Sequence, residues 1–338
     1  MIRNRAGAPR RAWPRGRRLS GRLGAGIVGG AVVLAAGAGL MLHVRRRMLR
    51  EVRQARAIAG AARSVLLRPL PARIDGLATA AAQLSADRGA TAGGDLYEVI
   101  ATEHGVRVVM GDVRGHGLAA IGTVAAVLGS FREAVHDEAE LAGVLARLDR
   151  ALARHLRDRA RSEATEDFVT VLLLEISPDG ELHALNCGHP WPYLLGVNRA
   201  APLARADPLP PLGLFPLPAE LPVTACGQLL PGEALFLHTD GVEDARDSEG
   251  RFFPLAGALR EAVRGRPICP QAVLRAVFWQ LLRHAGGRPK DDIAILLLRN
   301  ERPLVLRGAG PHASAAPPRG ATSHQRPAAD NPPVAPTP

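Results

Sequence analysis

Four short motifs, far apart in the chain, each set an aspartate in a turn-forming context, and together they restrict how the chain can fold. They are Gly93-Gly94-Asp95-Leu96-Tyr97, Gly111-Asp112-Val113-Arg114-Gly115-His116-Gly117, Thr239-Asp240-Gly241 and Arg288-Pro289-Lys290-Asp291-Asp292. Three of these acids abut β-like apolar runs. Asp112 closes the run from Val106 to Met110, Asp240 follows Ala234–His238, and Asp291 opens the run that ends at Leu298. Carboxylates at strand ends, with glycine letting backbone approach closely, are how a chain gathers hard oxygen ligands around Mg²⁺ or Mn²⁺. Four carboxylates brought together repel one another unless cations neutralise them. Any one of these motifs alone reads as an ordinary turn; the information lies in the set and its order.

The texture around the motifs predicts sheets covered by helices. Short β-like runs occur at 76–82, 96–102 and 106–112, followed by apolar helical spacing over 117–136 and 138–157. Strand-like runs return at 168–176, 181–186, 193–197 and 233–238, then helical stretches at 254–263 and 270–285, and a last strand at 292–298. Helix pairs separated by blocks of strands indicate an α+β sandwich, not the strict βαβα alternation of a doubly wound fold.

Charge divides the chain in two. Residues 1–73 carry 17 arginines against one acid, Glu51, and so +16, whereas residues 74–338 carry 26 basic and 31 acidic side chains, or −5. A nucleic-acid binder would spread its basic residues over a recognition surface, so no nucleic-acid partner is expected. The basic block instead brackets an uncharged stretch of 22 residues from Leu23 to Val44. That is enough helix to cross about 30 Å of hydrocarbon. A secretory signal peptide is the rival reading. Eight arginines before the stretch, and Arg45–Arg47 where a cleavage site should lie, favour a single-pass anchor. Both flanks are basic, so charge bias leaves the orientation open. Residues 45 to about 67 predict a juxtamembrane helix with Met48, Val52, Ala55 and Ala59 towards one side, ended by Pro69 and Pro71. Beyond Glu301 the composition shifts to Pro, Ala and Ser, which predicts a disordered tail. The expected organisation is a basic segment at 1–22, a transmembrane helix at 23–44, a juxtamembrane helix and linker at 45–70, a catalytic domain at 71–300 and a tail at 301–338. Cys187, Cys226 and Cys269 are odd in number and widely spaced, which excludes a disulfide scaffold or a zinc ribbon.

Six segments in order carry a family likeness: Leu66-Leu67-Arg68-Pro69-Leu70-Pro71, GGDLY at 93–97, GDVRGHG at 111–117, Asn186-Cys187-Gly188-His189-Pro190, LFLHTDGVEDAR at 235–246 and DDIAILLL at 291–298. From roughly Glu51 to Arg299 the chain resembles the SpoIIE-type branch of the PPM serine/threonine protein phosphatases. The resemblance implies a four-layer αββα sandwich. It also implies two divalent cations, Mn²⁺ or Mg²⁺, and hydrolysis of phosphoserine or phosphothreonine by a metal-activated water. The implied substrate is a phosphorylated STAS-domain protein of the anti-anti-sigma type. Carried over position by position, Asp112 bridges two metals with the Val113 carbonyl as a further ligand, Asp95 binds on the outer side, and Asp240 and Asp291 hold the other metal. Asp112, Asp240 and Asp291 are then the catalytic acids. Asp292 supports them from behind, and Gly94, Gly111, Gly115, Gly117 and Gly241 shape the turns.

Two histidines are weighed separately. The eukaryotic relatives place a histidine two residues after the bridging acid, where this chain has Arg114; His116 stands four residues on, as a proton donor or as part of a helix entry. Asn186 and His189 are read as holding a turn beside the site. The chain departs from the family's usual TDG-x-x-EA with Glu243-Asp244-Ala245, and from its alanine at Cys187, but keeps all the metal-binding acids. The resemblance places the catalytic domain in the cytoplasm on a single-pass membrane protein, with a homodimer through the juxtamembrane helix as a further expectation. The alternatives are a catalytically silent binding module of the same fold and a membrane adaptor in the same pathway.

Overall fold

The computed structural model describes residues 34, 37–51, 54, 66–85, 93–115, 118–160, 167–287 and 289–303. Most of the expected anchor at 23–44 lies outside them. Its last part joins a helix over 37–51 (α1) that exposes Leu40, Met41, Leu42 and Val44. Among the described residues no helix is long and apolar enough to cross a membrane. Of the juxtamembrane segment, residues 52, 53 and 55–65 lie outside the described residues, as do residues 304–338 of the tail.

Among the described residues, eleven strands and five further helices build the rest. The strands are β1 (Arg73–Ile74), β2 (Leu77–Leu84), β3 (Asp95–Thr102), β4 (Gly105–Val113), β5 (Val169–Ile176), β6 (Glu181–Cys187), β7 (Tyr193–Gly196), β8 (Arg199–Pro202), β9 (Thr224–Gln228), β10 (Ala234–His238) and β11 (Ile293–Asn300). The helices are α2 (Leu118–Asp137), α3 (Leu141–Ala160), α4 (Asp240–Glu243), α5 (Leu255–Ala262) and α6 (Pro270–His284). One sheet runs β1-β2-β11-β10-β7-β8 and the other β3-β4-β5-β6-β9, with antiparallel pairing throughout.

Alternation along the strands sorts the core into three layers. In β5, Val169, Val171 and Leu173 face α2 and α3, whereas Leu172, Leu174 and Ile176 face the other sheet. In β11, Ile293, Ile295 and Leu297 pack beneath α5 and α6, whereas Ala294, Leu296 and Leu298 enter the layer between the sheets. Such near-continuous apolar runs belong to strands buried on both faces. The helices match them: Val124, Val127, Leu128, Phe131 and Val135 of α2 recur at helical spacing, as do Leu141, Val144, Leu145, Leu148 and Leu152 of α3. The order is helix, sheet, sheet, helix, an α+β sandwich of four layers.

Several short elements escape a periodicity reading. Asp75 and Gly76 both have positive φ (44° and 73°) between the paired residues Ile74 and Leu77. That makes the two-residue Asp-Gly hairpin that starts β2. Strands β8 and β9 are short and carry small or polar residues, so they show no alternation. Glu301 and Arg302, at the start of the segment expected to be a tail, are tied to the sandwich. Glu301 N–H donates to Gly76 O, and the Arg302 guanidinium bonds Asp75 and the Ser177 carbonyl.

A buried cation joins sheet to helix. Arg107 of β4 is fully buried, donates to Glu175 at 2.7 Å, and caps the end of α2 through the carbonyls of Val135, Glu138 and Ala139. Arg107→Met removes these donors and leaves Glu175 and three carbonyls without them. Breaking a buried pair in this way costs about 3–5 kcal/mol. For a domain of this size the melting temperature should drop by roughly 6–20 °C. A drop under about 2 °C in a thermal melt would contradict this account of α2.

Candidate active site

The alternation that fills the inter-sheet layer also delivers the acids. In β4, Val106, Val108 and Met110 point into that layer, and Asp112 continues the series at the strand end. In β3, Asp95 shares the face of Val99 and is the direct register partner of Asp112. The second sheet supplies the other wall. Leu235 and Leu237 of β10 point inwards, and Thr239 and Asp240 follow at once; Asp291 and Asp292 precede β11, the neighbour of β10. The acids therefore come from both sheets and meet where the inter-sheet core reaches the surface. Asp95 is buried at the bottom, Asp112 is half-buried, and Asp240 and Asp291 are exposed at the rim.

Hydrogen bonds fasten the two walls together. Thr239, fully buried, donates its hydroxyl to Asp95 Oδ2 at 3.3 Å across the sheets and accepts from Ala294 N–H at 2.9 Å. Gln83 Nε2 of β2 donates to the Asp95 carbonyl at 3.3 Å. Thr170 Oγ1, on the strand beside β4, accepts from Asp112 N–H at 3.2 Å and meets His189 Nδ1 at 3.0 Å. Thr170 and Gln83 were not singled out in the sequence, and Thr239 was noted only as part of its motif. Thr170 stands opposite Asp112 in the sheet, a pairing that spacing along the chain does not show.

The turns are built for close approach. A Cβ on Gly94 would overlap the Val113 carbonyl oxygen and stand 2.6 Å from Asp112 Oδ1. Those two oxygens therefore face one small volume, and Val113 N–H, bonded to Gly94 O at 3.2 Å, keeps the carbonyl there. A Cβ on Gly241 would overlap the Asp292 carbonyl, so the α4 turn sits hard against the acids preceding β11. Gly111 lies in β4 against the Thr170 carbonyl, and Gly115 turns the chain out of the site with φ of 126°. Asn186 and His189 lie buried on the inner side. His116 and Gly117 lie outside the described residues. Gly94→Ala forces the Val113 carbonyl or the Asp112 carboxylate to move. Overpacking of this kind costs about 1–3 kcal/mol. The variant should melt lower and bind Mn²⁺ more weakly by calorimetry; unchanged binding would separate the Val113 carbonyl from the site.

Electrostatics mark the same spot. The Asp112 pKa is pushed up to about 7 by burial first, then by repulsion from Asp240, Asp291 and Asp292, with a hydrogen bond to Asp95 in partial opposition. Asp240 is raised as well, first by the partial loss of water around its carboxylate at the rim and then by Asp291 and Asp244. His189 is pushed down to about 3 by burial and by the neighbouring His238, and stays neutral. Among the described residues no three His, Cys, Asp or Glu side chains close on one point as a ready ligand set. Divalent cations nevertheless fit the donors present. Every donor is a hard oxygen, two face the volume over Gly94, and the acids repel one another for want of positive charge. Two other hollows lie elsewhere: a groove of about 460 Å³ beside Glu243 and Phe252, and one of about 540 Å³ at the start of α6.

Two antiparallel sheets between helix pairs, with carboxylates from both sheets at one end of the interface, define the fold of the PPM serine/threonine phosphatases, a class of metal-dependent hydrolases. The SiaA-PP2C domain of Pseudomonas aeruginosa has this fold at TM-score 0.60 and 19% identity, over 75% of this chain and 98% of that one. The RsbU and RsbW domains of Rv1364c from Mycobacterium tuberculosis match at TM-score 0.54 and 23% identity, over 68% of this chain and 61% of that one. The phosphatase domain and regulatory fragment of SpoIIE from Bacillus subtilis match at TM-score 0.51 and 16% identity, over 66% and 63%. The chain thus spans less than two thirds of the last two. Residues 102–301 match the family Stage II sporulation protein E (SpoIIE), and the chain belongs to that family.

Proposed function

We propose that this chain hydrolyses phosphoserine or phosphothreonine on a regulatory protein, with a phosphorylated STAS-domain protein as the substrate. The observation that carries the reading is the meeting of Asp95 and Asp112 from one sheet with Asp240 and Asp291 from the other, with Asp112 sensing the rest of the set. Asp95, Asp112, the Val113 carbonyl, Asp240 and Asp291 would hold two divalent cations, Mn²⁺ or Mg²⁺. When bound, such a pair supplies charge against phosphoryl oxygens and acidifies water near neutral pH. The protein's part is to hold the donors rigid: Thr239 and Gln83 fasten Asp95, Thr170 fastens the Asp112 backbone, and Gly94 and Gly241 keep the turns close. A regulatory partner is supported by the M. tuberculosis structure, in which an RsbU domain accompanies an RsbW domain. Attachment to the membrane through 23–44 belongs to the same proposal. It is supported by the uncharged stretch between arginines and by the exposed apolar side chains of α1.

The test is phosphate release from a serine- or threonine-phosphorylated STAS-domain protein, with Mn²⁺ and in excess chelator. Release that requires Mn²⁺ is expected. Equal release in chelator would overturn the metal-dependent mechanism, and no release with metal bound would leave a binding module of the same fold.

A further inference from the structure

The turn after β6 feeds a histidine into the seam between the sheets, beside the acids. Asn186 clamps that turn at both ends of His189: its Oδ1 accepts from His189 N–H and its Nδ2 donates to His189 O, both at 2.8 Å. The His189 ring is thereby directed inwards, where the residue is 4% exposed. On one side its Nδ1 lies 3.0 Å from Thr170 Oγ1. That hydroxyl accepts from Asp112 N–H at 3.2 Å and lies 3.5 Å from the Asp112 carbonyl, so Thr170 ties the neutral His189 ring to the Asp112 backbone. On the other side stands His238, the last residue of β10, two positions before Asp240 and in the opposite sheet. His238 turns its own Nδ1 back to the Thr239 carbonyl at 3.1 Å. A wedge of Asn186, His189 and Thr170 thus runs from β10, which leads to Asp240, to the backbone of Asp112.

Plain core packing explains this wedge poorly. His189 reaches only the His238 backbone beyond Thr170, and His238 Nε2 only Glu243 Oε1 at 4.0 Å; both Nε2 atoms are buried short of a well-formed hydrogen bond, which is destabilising where an apolar side chain would fill the space freely. The hydroxyl and imidazole are specific in their chemistry and stand behind an acid whose position matters. We propose that His189 and Thr170 are positioning residues that fix the separation between Asp112 and Asp240, and with it the site's affinity for divalent cations. The proposal rests on the metal-dependent phosphatase reading.

The test is a calorimetric titration of the full chain with MnCl₂, which needs no turnover, together with melting temperatures in chelator. Thr170→Val removes the hydroxyl at nearly constant shape, and His189→Ala removes the wedge. Supporting groups behind metal ligands are worth about 10- to 100-fold in metal affinity, and a loss in that range is expected for both variants. Thr170→Ser, which restores the hydroxyl, should recover most of it. In phosphate release the Mn²⁺ requirement of Thr170→Val should rise, with the phosphoprotein KM at saturating metal little changed. Wild-type affinity in Thr170→Val overturns the proposal. So does a loss in Thr170→Ser as large as in Thr170→Val, or a loss that only follows a lower melting temperature in chelator. If His189→Ala does not fold, the two Thr170 variants decide. Wild type that binds Mn²⁺ but releases no phosphate refutes the phosphatase reading alone, because the binding comparison still stands.

Discussion

Alanine at Asp112 should remove Mn²⁺-dependent phosphate release by about 10³-fold or more, and alanine at Asp240 should do the same. Asp112 is the residue that senses the whole set: it bonds with Asp95 in its own sheet and is repelled by Asp240, Asp291 and Asp292 from the other. Its removal separates the two walls electrostatically and takes away an oxygen that faces the Val113 carbonyl over Gly94. Asp240 is the matching acid of the second wall, seated on α4 directly after Thr239, the residue that reaches across to Asp95. Loss of a single preorganised group that stabilises transition-state charge costs 10²–10³-fold in comparable sites, and loss of a ligand that organises the site should exceed it. The comparison is single-turnover phosphate release at saturating Mn²⁺, with circular dichroism to confirm the fold. A folded Asp112→Ala protein within tenfold of wild type would refute the role given to these acids.

The acids themselves were legible in the sequence because their signal is local. An aspartate beside glycine at the end of an apolar run advertises a strand that stops at a turn, and Asp112 and Asp240 sit at such positions. The long strands and helices were legible for the same reason. Neighbours set by pairing were not. Thr170 matters because it stands opposite Asp112, and Thr239 because its hydroxyl crosses to a residue 144 positions earlier. Neither relation has a counterpart in spacing along one strand. The four-residue hairpin strand β8, with two alanines and a proline, and the short, bulged β9 lack the alternation of large apolar and polar residues that marks a strand. Arg107 illustrates the same limit: it lies within the β-like run at 106–112, and only Glu175 and the carbonyls at the end of α2 explain its burial.

The same acids should also invert the usual order of stability. In chelator at pH 8, Asp112→Asn should be more stable than wild type. The folded-state pKa of Asp112, about 7, lies far above its ordinary value of 3.8, so the folded protein holds this proton more tightly than the unfolded chain does. Stability therefore falls as pH rises from about 4, and the loss is complete above about 7. One pKa unit is worth about 1.4 kcal/mol, so the shift sets an upper bound of about 4 kcal/mol, to be shared with the coupled acids. Asparagine has no such proton to lose. The variant's advantage should vanish near pH 4, where Asp112 is protonated in the folded protein. The buried neutral His189 and His238 act with the opposite slope below pH 6.5, but they are common to both proteins and cancel in the difference. Mn²⁺ should reverse the order at pH 8, because wild type gains stability as RT ln(1 + [L]/Kd) and the variant gains far less. Urea unfolding at pH 4, 6 and 8, with chelator and with MnCl₂, measures all of this. An asparagine variant that is less stable in chelator at pH 8, or a difference that does not change with pH, would mean that the carboxylates do not crowd one another at this end of the sandwich.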